Sequence, residues 1–391
     1  MTDAPNQPRP AAMVLLWAAY LAASWTWCIG MFLPVLLARD YGPVSFAAFA
    51  VPNVIGAAIM GWVLARRGDS ERFVRTHAGM CLVFSVVTIA FQAFFLAWLV
   101  GVAVPAATTA LAVSAAAAAA IALLTNIGRA SPLALTTLAM AVSLAAGAIL
   151  LARGDLSIPP PATDPAATGR LLWLAPVCVF GFAFCPYLDL TFHRARQSLA
   201  GPAGTAAFGV GFGVLFLANI LFTLGYAGIV QPMAAGSALA SSLALSLVAA
   251  HIVVQLIVTC DLHGREAAAI SRSRGRGLAI GAVLVGGAAG LLAPRLPTHA
   301  GLIGPEIVYR CFMAFYGLLF PAYIWICALS GAGPSRRSLR IWAFAVGVAA
   351  PMFWMGFIEG REVWLGPGLL IVLLARLAAR RSPAPAPQPT A

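Results

Sequence analysis

Residues 13–38 read MVLLWAAYLAASWTWCIGMFLPVLLA, and this stretch decides the fold class. It carries no charged residue and exceeds the roughly 20 apolar residues that one helical membrane crossing needs. Gly30 and Pro34 interrupt its second half. Because proline removes a backbone donor and glycine tolerates non-helical dihedral angles, the stretch predicts a membrane span that is broken near its middle.

The composition of the whole chain agrees with this first span. Hydrophobic residues make up 61% and charged residues 9% of the 391 residues, whereas about a quarter of a soluble domain is charged. A soluble fold with this ratio could not cover its surface with polar groups. The composition therefore predicts an all-α, multi-pass protein in contact with the lipid bilayer.

Apolar runs and their breakers predict twelve spans. They lie at residues 13–38, 44–65, 78–101, 103–125, 132–152, 171–192, 204–230, 234–260, 278–294, 307–330, 341–358 and 364–379. All 24 basic residues are Arg, and eighteen of them fall on one side of the membrane if the spans alternate. The positive-inside rule then predicts a cell-membrane protein, inner or plasma, with both termini in the cytoplasm.

The chain is predicted to have six parts. They are a cytoplasmic tail at 1–12, a five-helix unit at 13–152, an outer Pro-rich loop at 153–170, a second five-helix unit at 171–331, two trailing helices at 332–380 and a disordered Pro/Ala-rich tail at 381–391.

An internal repeat supports the two five-helix units. Residues 42–51 read GPVSFAAFAV and Gly201–Val210 reads GPAGTAAFGV, which match at six of ten positions. The first copy joins spans one and two on the predicted outer side, and the second joins spans six and seven on the inner side. Such placement indicates an inverted repeat. The same offset pairs span one with span six, where Gly181 and Pro186 predict a second break, unless Pro186 only kinks the helix.

Broken first and sixth spans, a five-plus-five repeat and two trailing spans resemble the leucine-transporter (LeuT-like) fold. This is the fold of amino acid–polyamine–organocation and sodium:solute symporters, and the resemblance covers residues 13–331. It implies that substrate contacts the unwound parts of spans one and six, and that a Ser/Thr pair on span eight completes a sodium site. The matching substrate positions here are Trp27, Cys28, Ile29, Gly30, Phe184, Cys185 and Pro186, and the serine candidates are Ser241 and Ser242, near the outer end of their span.

A second family stays open. Twelve spans in a chain of this length also resemble the six-plus-six major facilitator superfamily, although the loop after span six is short for that family and Ala65 replaces an acidic residue of its motif. The positions that match its loop motif are Gly61, Arg66, Gly68, Asp261, Gly264 and Arg265.

Asp189 is the one acid that falls inside an apolar span away from its ends. A carboxylate in a membrane interior normally faces a cavity or a partner. We therefore expect Asp189 either to bind a coupling cation, sodium or a proton, or to cap a helix or form an ion pair. The ion-pair candidates are His193, Arg194 and Arg196.

Other polar residues within the spans predict structural contacts. Interhelical hydrogen bonds are expected for the buried amides and one imidazole, and Glu306 and Arg310, one turn apart, predict an outer ion pair. The hydrogen-bonding residues are Asn53, Gln92, Asn219, His251 and Gln255.

The sequence argues against several classes of function. It contains no Lys for a Schiff base or a P-loop, and no hydrolase, zinc-protease or dinucleotide motif. The Arg residues lie in short loops, which does not favour nucleic-acid binding. We predict a non-enzymatic secondary transporter, symporter-like, for a small, largely apolar or weakly polar solute. No cofactor is expected besides a coupling sodium ion or proton, and a membrane sensor or scaffold is the alternative.

Overall fold

The computed structural model describes residues 10–103, 129–160, 164–234, 242–329 and 333–380, together with isolated residues between 109 and 121. Within this part of the chain every named element is a helix. Nearly all of the predicted N-terminal tail, the predicted C-terminal tail and most of predicted span four lie outside it. The all-α class predicted from the composition is confirmed.

Fourteen helices position the site. They are α1 Pro10–Trp25, α2 Cys28–Tyr41, α3 Ser45–Val63, α4 Asp69–Ala103, α5 Pro132–Ala152, α6 Ala167–Phe184, α7 Leu190–Ser198, α8 Gly201–Gly225, α9 Ala227–Ala234, α10 Ser242–Ile270, α11 Arg272–Leu292, α12 Gly304–Ala328, α13 Arg336–Phe357 and α14 Leu365–Arg380.

The chain is a polytopic membrane protein. Within the described residues ten helical segments are long and apolar enough to cross a membrane, and α1 with α2 makes an eleventh span that is bent by 58°. These eleven correspond to predicted spans one to three and five to twelve. Predicted span four falls on residues 103–125, most of which are outside the described part.

Two predicted boundaries were wrong at the polar ends of long helices. Helix α4 begins at Asp69, and α10 continues to Ile270, so the predicted loop after span eight is helical. Asp261 and Arg265 form an ion pair one turn apart within α10, and Glu266 pairs with Arg194. Of the polar residues that matched the major facilitator loop motif, Asp261 is buried in the helical bundle and Arg265 is partly buried, whereas Arg66 is exposed.

The helices next to the two interruptions pack mainly on different neighbours. Helix α1 contacts α5, α8 and α10, while α6 and α7 contact α12, α3 and α4. Glycine permits two of these close approaches: a Cβ atom on Gly56 of α3 would lie 2.2 Å from the carbonyl oxygen of Phe182 in α6. A Cβ atom on Gly211 of α8 would lie 3.0 Å from the carbonyl oxygen of Ala18 in α1.

Candidate functional site at two helix breaks

The break in span one lies at Thr26 and Trp27, between α1 and α2. Trp27 has extended backbone, with φ −109° and ψ −174°. The prediction of a broken span is confirmed, but the predicted position at Gly30 and Pro34 was wrong, because α2 continues through both residues. Local sequence does not set the position of the break.

Side chains from distant helices bond the backbone at the start of α2, and one of them satisfies an amide that the first break frees. The amide of Cys28 donates to Gln92 Oε1 at 2.9 Å, and Tyr309 OH donates to the carbonyl of Cys28 at 2.9 Å. Tyr226 OH donates to the carbonyl of Met31. Because an unpaired backbone group is costly in a membrane interior, these three contacts stabilise the break where it lies.

A second helix interruption lies at Pro186 but beyond Gly181, which is inside α6. It falls at the last residues of a segment, Ala167–Leu188, that is long and apolar enough to cross a membrane by itself. Helix α6 ends at Phe184, a 3₁₀ turn covers Cys185–Leu188, and α7 begins after Asp189. The thiol of Cys185 donates to the carbonyl of Tyr316 at 3.2 Å. This second break therefore contacts α12, as the first break contacts α4 and α12.

The two breaks meet at a small void of about 10 Å³. That is roughly the space of one water molecule, so this centre is closed. Four of the seven predicted substrate residues line it, and four other residues complete the wall. The lining residues are Trp25, Trp27, Ile29, Gly30, Asn53, Phe182, Cys185 and Tyr316.

The other three predicted substrate residues have different surroundings. Cys28 is fully buried and meets its neighbours through its backbone. Phe184 packs on Trp325, with ring centroids 5.7 Å apart, and Pro186 is buried in the 3₁₀ turn. Sequence inspection missed Asn53 as a wall residue, although its amide oxygen accepts a hydrogen bond from Trp25 Nε1 at 2.6 Å.

A larger cavity of about 70 Å³ lies between the void and one end of the bundle. Its walls are mostly apolar, and Asp40, Tyr41 and Arg310 stand among them. Phe182 and Tyr316 line both spaces. These two rings therefore separate the cavity from the void at the helix breaks.

A charged network occupies the end of the bundle next to this cavity, which we call the Arg39 end. Glu306 accepts hydrogen bonds from Arg39 Nη1 and Nη2 at 2.9 and 2.6 Å, and from Arg310 Nη2 at 2.7 Å. Arg310 also pairs with Asp40. The predicted pair of Glu306 and Arg310 is confirmed, and it belongs to a network that joins α2 to α12.

Asp189 lies towards the opposite end, which we call the Arg194 end. Its Oδ1 atom accepts from the amide and the hydroxyl of Thr191, at 2.8 and 2.7 Å, and so caps α7. The Oδ2 atom has no hydrogen-bond partner among the described residues, and His263 Nε2 lies 3.9 Å from it. The helix cap expected from the sequence is present.

The predicted ion pair of Asp189 with the nearby basic residues was wrong. Arg194 binds Glu266 with two hydrogen bonds, at 2.9 and 3.1 Å. Arg196 donates to the backbone carbonyls of Leu64 and Ala65, and His193 contacts Ser70 and the carbonyl of Tyr187. Asp189 caps the start of α7, and the basic side chains further along α7 contact other residues.

The sodium-site role of the serine pair on span eight stays a prediction. Ser241 lies outside the described residues, and Ser242 begins α10. His263, the neighbour of Asp189, follows twenty-one residues later, about 30 Å along a continuous helix at 1.5 Å per residue. Thr259 of α10 donates its hydroxyl to the carbonyl of Ala23 in α1 at 3.4 Å. Within the described residues no cluster of three His, Cys, Asp or Glu side chains could hold a metal ion.

A second polar cluster lies on the other side of span one. Ser143 Oγ contacts His251 Nδ1 at 2.9 Å and accepts from Gln255 Nε2 at 2.8 Å. Asn219 Nδ2 donates to Thr26 Oγ1, at the break, at 3.0 Å. Together with the contacts of Asn53 and Gln92, these bonds confirm the predicted interhelical roles of the buried amides and of His251.

Comparison with known proteins finds no family model that matches this chain and no curated protein with significant sequence similarity to it.

Proposed function

We propose that this protein is a secondary transporter, symporter-like, that moves a small, largely apolar or weakly polar solute across the cell membrane. The observation that carries the proposal is that the break in span one and the helix interruption after Phe184 meet around one void. Non-helical backbone at membrane depth is tolerated only where it is buried in protein or lines a cavity. Two such breaks that share a wall favour a solute site over a purely structural bundle.

The packing supports a five-plus-five repeat of the LeuT-like kind for this transporter. Span one packs on spans five, seven and eight, and span six packs on spans ten, two and three. Adding five to each span number, and starting again at one after ten, turns the contacts 1–5, 1–7 and 1–8 into 6–10, 6–2 and 6–3. A shift of six would require extensive packing of span seven on span eleven, which the described residues lack. This comparison favours the LeuT-like arrangement over the major facilitator design.

The chemistry of the void supports the proposed class of solute. Its wall consists of aromatic rings, aliphatic carbon, one thiol and one amide, and no charged side chain lines it. The amide oxygen of Asn53 already accepts a bond from Trp25, and Tyr316 OH shares a hydrogen bond with Thr88 at 3.0 Å. A charged solute would therefore lose its hydration without gaining a counter-charge.

The two ends of the bundle support transport by alternating access. The cavity between the Arg39 end and the void is a preformed vestibule, and the charged network stands at its outer boundary. Opening of this network and rotation of the Phe182 and Tyr316 rings would join the vestibule to the void. Entry of a solute larger than water requires such a movement, because the void holds about one water molecule.

Uptake into proteoliposomes tests the proposal. Reconstituted protein is given a panel of labelled solutes, amino acids and small amines included, with a sodium gradient, a proton gradient or none. We expect at least one weakly polar solute to accumulate, and Gly30→Leu, which crowds the wall of the void against Phe216 and Ile220, to reduce its uptake at least tenfold. The matched control is Gly213→Leu, because a side chain at Gly213 meets open space.

The milder variant Gly30→Ala guards against misfolding. A Cβ atom at Gly30 would lie 3.4 Å from the Phe216 ring, which is an ordinary contact. This variant should fold and transport more slowly than wild type. If no solute accumulates in any gradient although the protein is folded, a sensor or scaffold function is favoured instead.

A further inference from the structure

Asp189 and His263 face each other inside the bundle with one free atom each. Both side chains are 0% exposed, and Asp189 Oδ2 lies 3.9 Å from His263 Nε2. That distance is too long for a hydrogen bond. Neither atom has another partner among the described residues. Unpaired buried polar atoms are rare in native proteins. We therefore expect the two free atoms either to bind a ligand or to change their protonation state.

The remaining polar atoms of the pair are satisfied. Asp189 Oδ1 accepts two hydrogen bonds from Thr191, and His263 Nδ1 contacts Ser85 Oγ at 3.2 Å. These contacts hold the carboxyl group on α7 and the imidazole on α10. Only one oxygen and one nitrogen stay free, and each is within one small movement of the other.

Within the described part of the chain no guanidinium group forms an ion pair with Asp189. Arg194, the nearest guanidinium along its own helix, is held by Glu266. The titratable residues on neighbouring helices that lie within electrostatic reach of Asp189 are hydroxyl, thiol or paired carboxyl residues. They are Tyr20 of α1, Cys81 of α4, Glu266 of α10 and Tyr316 of α12, while Arg265 of α10 pairs with Asp261.

The charge of the pair determines which ligand fits. Ionised Asp189 beside neutral His263 leaves one uncompensated negative charge in a low-dielectric interior, which is costly. One added proton makes the pair neutral overall, whether it forms an O–H bond on Oδ2 or an N–H bond on Nε2. Sodium fits poorly, because hard cations are held by several oxygen ligands and only one oxygen is free here.

We propose that Asp189 and His263 form a site for one proton, and that this proton is the coupling ion of the transporter. The second part rests on the proposed function, whereas the first does not. Uptake takes one proton from water at the Arg194 end, near the Arg194–Glu266 pair, and release returns it to water. No other bond is made or broken.

The position of Asp189 links the proton to the helix break. Asp189 follows the 3₁₀ turn of broken span six and caps α7. A hydrogen bond across the pair requires the free atoms to approach from 3.9 Å to about 3 Å. That approach draws the start of α7 towards α10. Because the same turn contains Cys185, which lines the void, proton binding changes the wall of the solute site.

Infrared difference spectroscopy tests proton binding without transport. Full-length protein in detergent is titrated with acid and base, and the carboxyl band of protonated Asp is followed. We expect a band that Asp189→Asn removes and His263→Gln shifts in its pH midpoint, while the exposed control Asp155→Asn leaves it unchanged. Asn is as good a helix cap as Asp, so Asp189→Asn should fold.

Proteoliposome uptake tests the coupling. We expect a proton gradient to stimulate uptake at least tenfold in wild type, and Asp189→Asn to exchange solute without that stimulation. A titration with no Asp189 band overturns the proton site whatever the transport result. A band combined with uptake that only sodium drives overturns the coupling. A band in a protein that moves no solute supports the proton site and removes the proposed function.

Discussion

The Arg39 end and the Arg194 end of the bundle hold their acids in opposite ways. At the Arg39 end, Glu306 receives hydrogen bonds from two guanidinium groups, and Arg39 is 41% exposed. Towards the Arg194 end, Asp189 is 0% exposed and keeps one oxygen free. In the first arrangement guanidinium groups neutralise both acids, Glu306 and Asp40. The second is neutral only after it binds a proton.

This difference assigns different roles to the two ends. Arg39 is the exposed member of its network, so water and salt can replace its partner at moderate cost, although Glu306 itself is buried. A buried pair without water has no such replacement, and its state depends on a bound ligand. We infer that the Arg39 end closes the vestibule and that the Asp189–His263 pair controls when the solute site changes shape.

The largest expected effect comes from breaking the Arg39 network. Glu306→Gln removes the charge that holds Arg39 and Arg310 together, and the vestibule should open more often. Cys178 lines that cavity and reports on it once the exposed Cys311 is replaced by Ser. We expect maleimide labelling of Cys178 to become about tenfold faster, which corresponds to about 1.4 kcal/mol.

Two comparisons control this experiment. Asp155→Asn removes an exposed acid whose ion pair with Arg153 lies in a loop, and it should leave the labelling of Cys178 unchanged. Circular dichroism and the elution volume verify that Glu306→Gln is folded. Equal labelling rates in Glu306→Gln and wild type would show that the network does not close the vestibule.

Several features of the two ends could be predicted from the sequence, whereas others depend on side chains from distant helices. The broken first span, an interruption at Pro186 and the pair of Glu306 and Arg310 follow from charge and breakers in apolar runs, and the role of Asp189 stays a prediction. The break at Trp27 does not follow from them, because Gln92 and Tyr309 determine its position from other helices.

His263 shows why the sequence could not supply the partner of Asp189. The polar run at Asp261 and Arg265 looks like the end of span eight, which places His263 in a loop. The helix continues because Arg265 neutralises Asp261 one turn back and Arg194 neutralises Glu266. Only the fold brings α7 beside that turn of α10, so no local pattern marks the pair.

Ionic strength should affect the Arg39 end and the Arg194 end differently, with a smaller effect than Glu306→Gln. The Debye length falls from about 30 Å at 0.01 M to about 3 Å at 1 M ionic strength, and exposed pairs weaken accordingly. We expect labelling of Cys178 to become about two- to threefold faster over this range, in line with a surface-pair contribution of about 0.5 kcal/mol. The infrared midpoint of Asp189 should stay constant, because burial shields it from salt. A shift of that midpoint with a constant Cys178 rate would reverse the assignment.

The smallest expected effect concerns an exposed pair at the Arg39 end. His299 Nε2 lies 2.6 Å from Glu359 Oε1, and Trp354 Nε1 donates to the same oxygen at 3.0 Å. The hydrogen bond from His299 is the main cause that lowers the pKa of Glu359 below its ordinary value. A lowered pKa of Glu359 stabilises the folded protein at pH values above the pKa of the unfolded chain, and this contribution disappears as pH falls through the folded pKa.

In His299→Gln the pKa of Glu359 should rise towards its ordinary value. A pH titration of isotope-labelled glutamate by NMR measures this pKa, and Glu359→Gln assigns the signal. Because Glu359 is exposed to solvent, its loss should leave both Cys178 labelling and proton-driven uptake unchanged, whereas loss of Glu306 or Asp189 should not.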